Sequence, residues 1–303
     1  MSQLKRQFSR SNSLGARDNS EIAKYLLAVG DVDGAMALMQ GGAEGASMRI
    51  GGKSAWRHTG LVVGFLSQGD QTSNASLVSA TQLEADKELI ETRIKVTLER
   101  FYVHAYPGFG KHHILCEYWG KNQVKLEKGK KASSEEIRFA LNVHANDKAA
   151  AGVQGQPLFL GVAVGKDGLS FEGRAVNVGS KGNENMLKAL NNSAVKNGLS
   201  LMTAAQPALK PFVGLAGALV NTAMENVKNV QVHEFFLGLD FSENTTSAKL
   251  RLGSYIVVQT DNDNWNWADY QWSNSANLLQ EKKTGNAIEA NYFVLGISEF
   301  SDE

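Results

Sequence analysis

From residue 91 onward, apolar residues recur mainly at every second position. Ile94, Val96, Leu98, Phe101 and Val103 fall in one such run, which Pro107 and Gly108 end. Ile137, Phe139, Leu141 and Val143 alternate with polar residues, the pattern of a strand with one buried face. His113 to Trp119, Leu158 to Val164, Leu169 to Val178, Val232 to Phe241, Leu250 to Gln259, Tyr270 to Ser273 and Tyr292 to Phe300 supply further strands. Lys166-Asp167-Gly168 predicts a tight hairpin turn between two of them. Short strands spaced by turn residues, with no helix alternating between them, predict a mostly β, two-sheet antiparallel sandwich.

One segment breaks this period. Between Asn183 and Asn229, Leu187, Leu190, Ala194, Leu201, Ala205, Leu209, Phe212, Ala216, Leu219, Ala223 and Val227 recur in a helical stripe. Gly198, Pro207 and Pro211 divide it. Between Gly198 and Met224 the only charged residue is Lys210. Such a stripe either docks on the sandwich or leaves it for a membrane or a partner.

Ahead of the sandwich, residues 1–20 are polar, serine-rich and basic, and are expected to form a flexible tail. Residues 21–40 carry a small helical region, with Ser20 placed to cap it and Gly30 and Gly34 interrupting it, so that one helix and two short ones fit equally. Asp31, Asp33 and Gly34 are expected in a turn. Residues 41–60 are dense in glycine and fit a loop or linker. Arg57 to Ser67 is a candidate strand, and 76–90 a short helix. The expected division is therefore tail 1–20, helical and glycine-rich region 21–90, and sandwich 91–303 with the excursion 183–229.

Composition narrows the function. Lys+Arg and Asp+Glu both number 31, so the formal net charge is zero. A nucleic-acid binder needs a basic excess that is not here. The single cysteine, Cys116, cannot build a disulfide framework, so a reducing, cytoplasmic setting is expected. No signal-like or membrane-spanning apolar run occurs.

Candidate chemistry is sparse, and no catalytic residue is assigned. Gly51-Gly52-Lys53-Ser54 is not a phosphate loop, because the required earlier glycine is Ser47 and the flanking strand and helix are missing. His104, His112, His113 and Cys116 lie close in sequence, yet alternation on a strand turns His112 and Cys116 to one face and His113 to the other. A buried cysteine with turn-end histidines accounts for them. The unusual stretch is Gln259 to Trp272. Asp261, Asp263 and Asp269 stand there among asparagines, with Trp265, Trp267, Tyr270 and Trp272. Converging carboxylate and amide oxygens suit calcium. Tryptophan and tyrosine on a loop suit a membrane interface or a sugar ring, or, alternating as strand residues, a neighbouring sheet.

The Asp-x-Asp-x5-Asp spacing of Asp261, Asp263 and Asp269, after a late strand, resembles the third calcium loop of C2 domains. Those are eight-stranded sandwiches that bind phospholipid through loops at one end. The resemblance implies calcium at Asp261, Asp263 and Asp269, with Asp147 from the first loop. It also implies an anionic membrane surface met by Trp265, Trp267 and Tyr270, aided by Lys125, Lys128, Lys130 and Lys131. The first loop, Asn146 to Ala149, offers Asp147 where C2 domains have two aspartates. The expected function is a non-enzymatic binding or effector module that engages a membrane or a partner protein. The alternatives are a pore-forming effector that deploys 184–229 and a structural subunit of a homo-oligomer or filament.

Overall fold

The computed structural model describes residues 8–40, 54–69, 73–124, 133–179 and 229–301. The excursion up to residue 228, the glycines of 41–53 and the lysines at 125, 128, 130 and 131 lie outside the described residues. Two helices come first, α1 (Asn19–Ala28) and α2 (Val32–Gln40). Then follow β1 (Leu61–Ser67), β2 (Asn74–Ser76), β3 (Val78–Ser79), β4 (Arg93–Val103), β5 (His112–Val124) and β6 (Ser133–Ala145). Next are β7 (Ala149–Ala150), β8 (Gln156–Ala163), β9 (Leu169–Val178), β10 (Asn229–Asp240), β11 (Ala248–Lys249) and β12 (Gly253–Gln259). The last three are β13 (Tyr270–Ser273), β14 (Leu278–Glu281) and β15 (Tyr292–Glu299).

The strands form a mostly β, sandwich-like fold. One large sheet runs β3-β1-β12-β15-β4, with β7 and β8 both pairing β4. The other runs β11-β10-β9-β5-β6. All pairs are antiparallel except β10 with β11. A third sheet, β14-β13-β2, lies on the outer face of the first, so part of the molecule has three layers. This explains why β12 and β15 carry continuous apolar runs, Tyr255 to Val258 and Tyr292 to Leu295, instead of alternating. Tyr255, Val257, Phe293 and Leu295 face the main core, while Ile256, Val258, Tyr292 and Val294 face the small sheet. A strand covered on both sides reads as a continuous apolar run.

The two large sheets meet at Phe293. Its ring stacks on Phe101 at 4.3 Å and on His233 at 5.2 Å, and lies 5.5 Å from Phe235. Tyr118 approaches edge-on at 6.4 Å. A bulge between Gln231 and His233 changes the register of β10 against β9 there.

Several elements differ from the sequence pattern. Residues 8–18, expected in the tail, pack along the second sheet. Phe8 is buried, its N–H bonds the Glu172 carboxylate, and Arg174 lies over its ring at 4.6 Å. Gln231 donates to the Ser9 carbonyl and to the Ser13 hydroxyl. Asp18, not Ser20, caps α1 by accepting from the Glu21 N–H at 2.9 Å. Ser20 lies inside the helix and donates to the same carboxylate. Gly30 separates the helices at φ 89°, and Asp31 caps α2 through the Gly34 N–H. The region 76–90 forms β3 and a single 3-10 turn at Lys87–Leu89 instead of a helix, because pairing with β1 outweighs local helix propensity. The sandwich also begins at β1, ahead of residue 91, since β1 pairs β12 along its length.

His233 is fully buried, and neither ring nitrogen has a hydrogen-bond partner among the described residues. Burial, with a smaller push from Arg10, lowers its pKa to about 3. The folded protein therefore holds a neutral ring, while the unfolded chain takes up a proton below its ordinary pKa of 6.5. The His233 contribution to stability is constant above that value and is lost as pH falls toward 3, by about 1.4 kcal/mol per pH unit within the window. His233→Phe keeps the stack on Phe293 and removes both unpaired nitrogens. Urea unfolding should show it about 1–2 kcal/mol more stable than wild type at pH 7. The gap should widen on acidification.

Candidate binding cleft

At the end of the sandwich where β12 stops, side-chain amides join the sheets. Asn291, fully buried, accepts from the His104 and Ala105 N–H groups at 2.8 and 3.2 Å. It donates to the Ala105 carbonyl and to Gln259 Oε1. Gln259 in turn donates to the His58 carbonyl, in the first sheet's margin, and to the Val232 carbonyl of the second sheet. Both amides are thus satisfied across the gap between the sheets, the condition under which buried polar groups rigidify a core.

The Asp- and Asn-rich loop leaves from this point. Asp261 Oδ1 accepts from the N–H groups of Thr59 and Gly60 at 2.8 and 2.6 Å, and Oδ2 lies 3.3 Å from His58 Nδ1. That carboxylate fastens the loop to the start of β1. Asn262 and Asn266 make side-chain turns, each accepting from the N–H two residues on. The second of these caps a 3-10 turn at Trp267–Asp269. Asp263 and Asp269 are exposed. Asp147 belongs to a different clamp: it accepts from the Tyr106 N–H and pairs with His112 Nε2 at 2.9 Å. Among the described residues no group of three His, Cys, Asp or Glu side chains is placed to hold a metal ion. Cys116 is buried in the core, and its burial raises the thiol pKa well above the usual range. His113 faces His144 across the strand pair, ring nitrogens 3.1 Å apart.

The aromatic residues of the loop turn toward the protein. Trp267 is buried and its ring lies over Gly64 of β1, where an added Cβ would be 2.6 Å away. Trp265 stacks on Tyr270 at 4.2 Å and is half-buried. Trp272 packs between the small sheet and the first large sheet.

Trp265 and Trp267 line a cleft of about 650 Å³. Its long walls are strand edges. On one side stand Leu61 and Val63 of β1, and on the other Phe236 and Gly238 of β10. Consecutive strand residues line both walls, so backbone as well as side chains face the space. The edges stay partly open because their neighbours are short. β3 pairs β1 at Gly64 and Phe65, with one further bond from the Ala80 N–H to the Val63 carbonyl, and β11 pairs β10 at Leu239 and Asp240. A second hollow of about 810 Å³ continues past Thr81 and Gln82 toward Lys87 and Lys249. Of the residues expected at the contact end, the structure brings Trp265 and Trp267 to this cleft. The β1 and β10 residues were not among the expected site residues. Their signal in the sequence is a lone glycine inside a strong strand pattern, Gly64 and Gly238, which marks a close approach.

Gly64→Ala should push the Trp267 ring outward. The expected loss is about 1–3 kcal/mol in urea unfolding, with a red shift of tryptophan emission that Trp267→Phe abolishes.

Among the described residues no helix is long and apolar enough to cross a membrane. Comparison of the chain with protein-family models, with curated proteins and with solved structures found no match in any of the three.

Proposed function

We propose that this protein is a non-enzymatic binding module that takes an extended segment of a partner protein into the cleft between β1 and β10. The observation that carries this is the pair of partly open strand edges facing one space. An added strand gains main-chain hydrogen bonds from an edge, and its alternate side chains fill pockets beside it. The lining fits such a ligand: Val63, Phe236 and Val78 are apolar, while Ser79, Thr81 and Thr246 add polar groups without charge. The loop 259–272 remains the contact end in this reading, with Trp265 and Trp267 as a wall of the cleft. Calcium and an anionic lipid surface are the other ligands that the loop chemistry suits, and the test separates them.

The probe is a fluorescein-labelled peptide of alternating threonine and valine, ten residues long with a lysine at each end. Anisotropy titration should show saturable binding in the micromolar range, the strength of a short augmenting strand. Phe236→Lys should weaken it at least about tenfold with an unchanged circular dichroism spectrum, and a version with central prolines should not bind. No saturation up to about 1 mM, or equal binding by the variant, overturns the reading. Sedimentation with anionic vesicles only when calcium is present would put the lipid surface in its place.

A further inference from the structure

The histidines of this chain do not share one fate. His233 is sealed in the core, and His112 and His58 each face a carboxylate, Asp147 and Asp261. His113 and His144 face each other. They stand directly opposite on β5 and β6. Tyr118, an odd number of residues along β5, points at Phe293 in the core, so His113 points out of the other side of the sheet. By the same alternation Cys116 points inward and is no neighbour of the pair.

The separation of the two rings decides what they can hold. His144 Nε2 lies 3.1 Å from His113 Nδ1, the ring planes crossed at 75° and the centroids 4.4 Å apart. Both residues are half-buried, so the sheet holds them without sealing them from solvent. A tetrahedral ion bound by two imidazole nitrogens at about 2.0–2.1 Å needs them about 3.3 Å apart. The pair stands close to that spacing on two long, fully paired strands. Each neutral imidazole has one N–H and one lone pair, and the tautomers with protons on His113 Nε2 and His144 Nδ1 turn both lone pairs to the same point.

The surroundings select the kind of ion. Among the described residues no carboxylate joins the pair in a group of three possible ligands, and calcium or magnesium would need such oxygens. Imidazole nitrogens suit zinc, copper and nickel. Asn142 lies two residues before His144 and diagonal to His113 on the same face, where diagonal neighbours are about 7–8 Å apart. Its side-chain oxygen is buried and has no hydrogen-bond partner among the described residues. A water held by an ion at the pair would supply one. Lys111, two residues before His113, is exposed, and its screened charge weakens cation binding without blocking it.

The geometry points to a metal site that the cleft does not use: His113 through Nδ1 and His144 through Nε2 bind a divalent transition-metal ion of the zinc class, with the remaining positions left to water. β5 and β6 take no part in the walls of the cleft, so the two sites are independent. A structural zinc has four protein ligands. Two ligands make this ion exchangeable, and the fold does not depend on it.

Calorimetric titration of the EDTA-stripped full chain with zinc chloride tests this. It should show one ion per chain with a dissociation constant of about 1–100 μM. His113→Gln and His144→Gln should each weaken binding at least about tenfold, His104→Gln should leave it unchanged, and calcium chloride should not compete. Zinc-edge X-ray absorption of the wild-type complex should show two imidazole nitrogens at about 2.0 Å and no sulfur, a result that does not depend on how the variants fold. No binding up to about 1 mM zinc overturns the inference. So does binding that survives both histidine variants, or a zinc shell with sulfur or with fewer than two imidazoles.

Discussion

Everything in the sandwich is hung on the ring of Phe293. It is the point at which β15, in the middle of one sheet, touches β4 in its own sheet through Phe101 and the facing sheet through His233, Phe235 and Tyr118. Aromatic rings at these offsets hold two sheets at a fixed spacing with a modest gain beyond the area they bury. That spacing lets Gln259 reach the Val232 carbonyl while its other end meets Asn291. The same strand has to serve the third sheet from its other face, where Tyr292 stacks on Tyr102 at 5.0 Å. A polar residue is thereby excluded from β15 over most of its length.

Much of the strand set was legible in the sequence because its cause is local. Leu169–Val178 and Tyr270–Ser273 match the expected runs residue for residue, and the turn at Gly168 closes on the Gly165 carbonyl. What was not legible depends on partners far along the chain. The pieces β2 and β3 are too short to carry a period of two, and exist because β13 and β1 pair with them. Residues 8–18 look like a solvated tail until Glu172, Arg174 and Gln231, more than 150 positions away, hold them. The dense carboxylates of the loop at 261–269 drew attention to metal chemistry, yet Asp261 serves a backbone clamp that no spacing rule reveals.

The cleft has a plain origin in strand length. Proteins ordinarily blunt a sheet's edges with short strands, bulges or covering loops. Here the short strands β3 and β11 each pair two residues of a longer neighbour, the Ala80 N–H adds a bond to the Val63 carbonyl, and Ser13 bridges Gln231, so each edge is only partly covered. Two such edges come to lie on the same flank of the sandwich. Trp267 is seated against Gly64, so the loop that lines the cleft cannot swing away without exposing a buried ring.

The order of strands in the first sheet bears on how the chain acquires its fold. β15, at residues 292–299, lies between β12 and β4, and β1 pairs only β12 and the two-residue β3. During synthesis β1 and β4 emerge first and must wait for β12 and β15, whereas β5, β6, β9 and β10 are all made before either of those two strands. The second sheet thus has the means to form first, with its inner face open. The first sheet closes only when almost all of the described chain is available, through contacts some two hundred residues apart such as Gln259 to His58. Contacts of that range make folding slow. A polypeptide stalled before residue 292 would present the apolar inner faces of β4 and β12 without the strand that joins them, a natural target for chaperones.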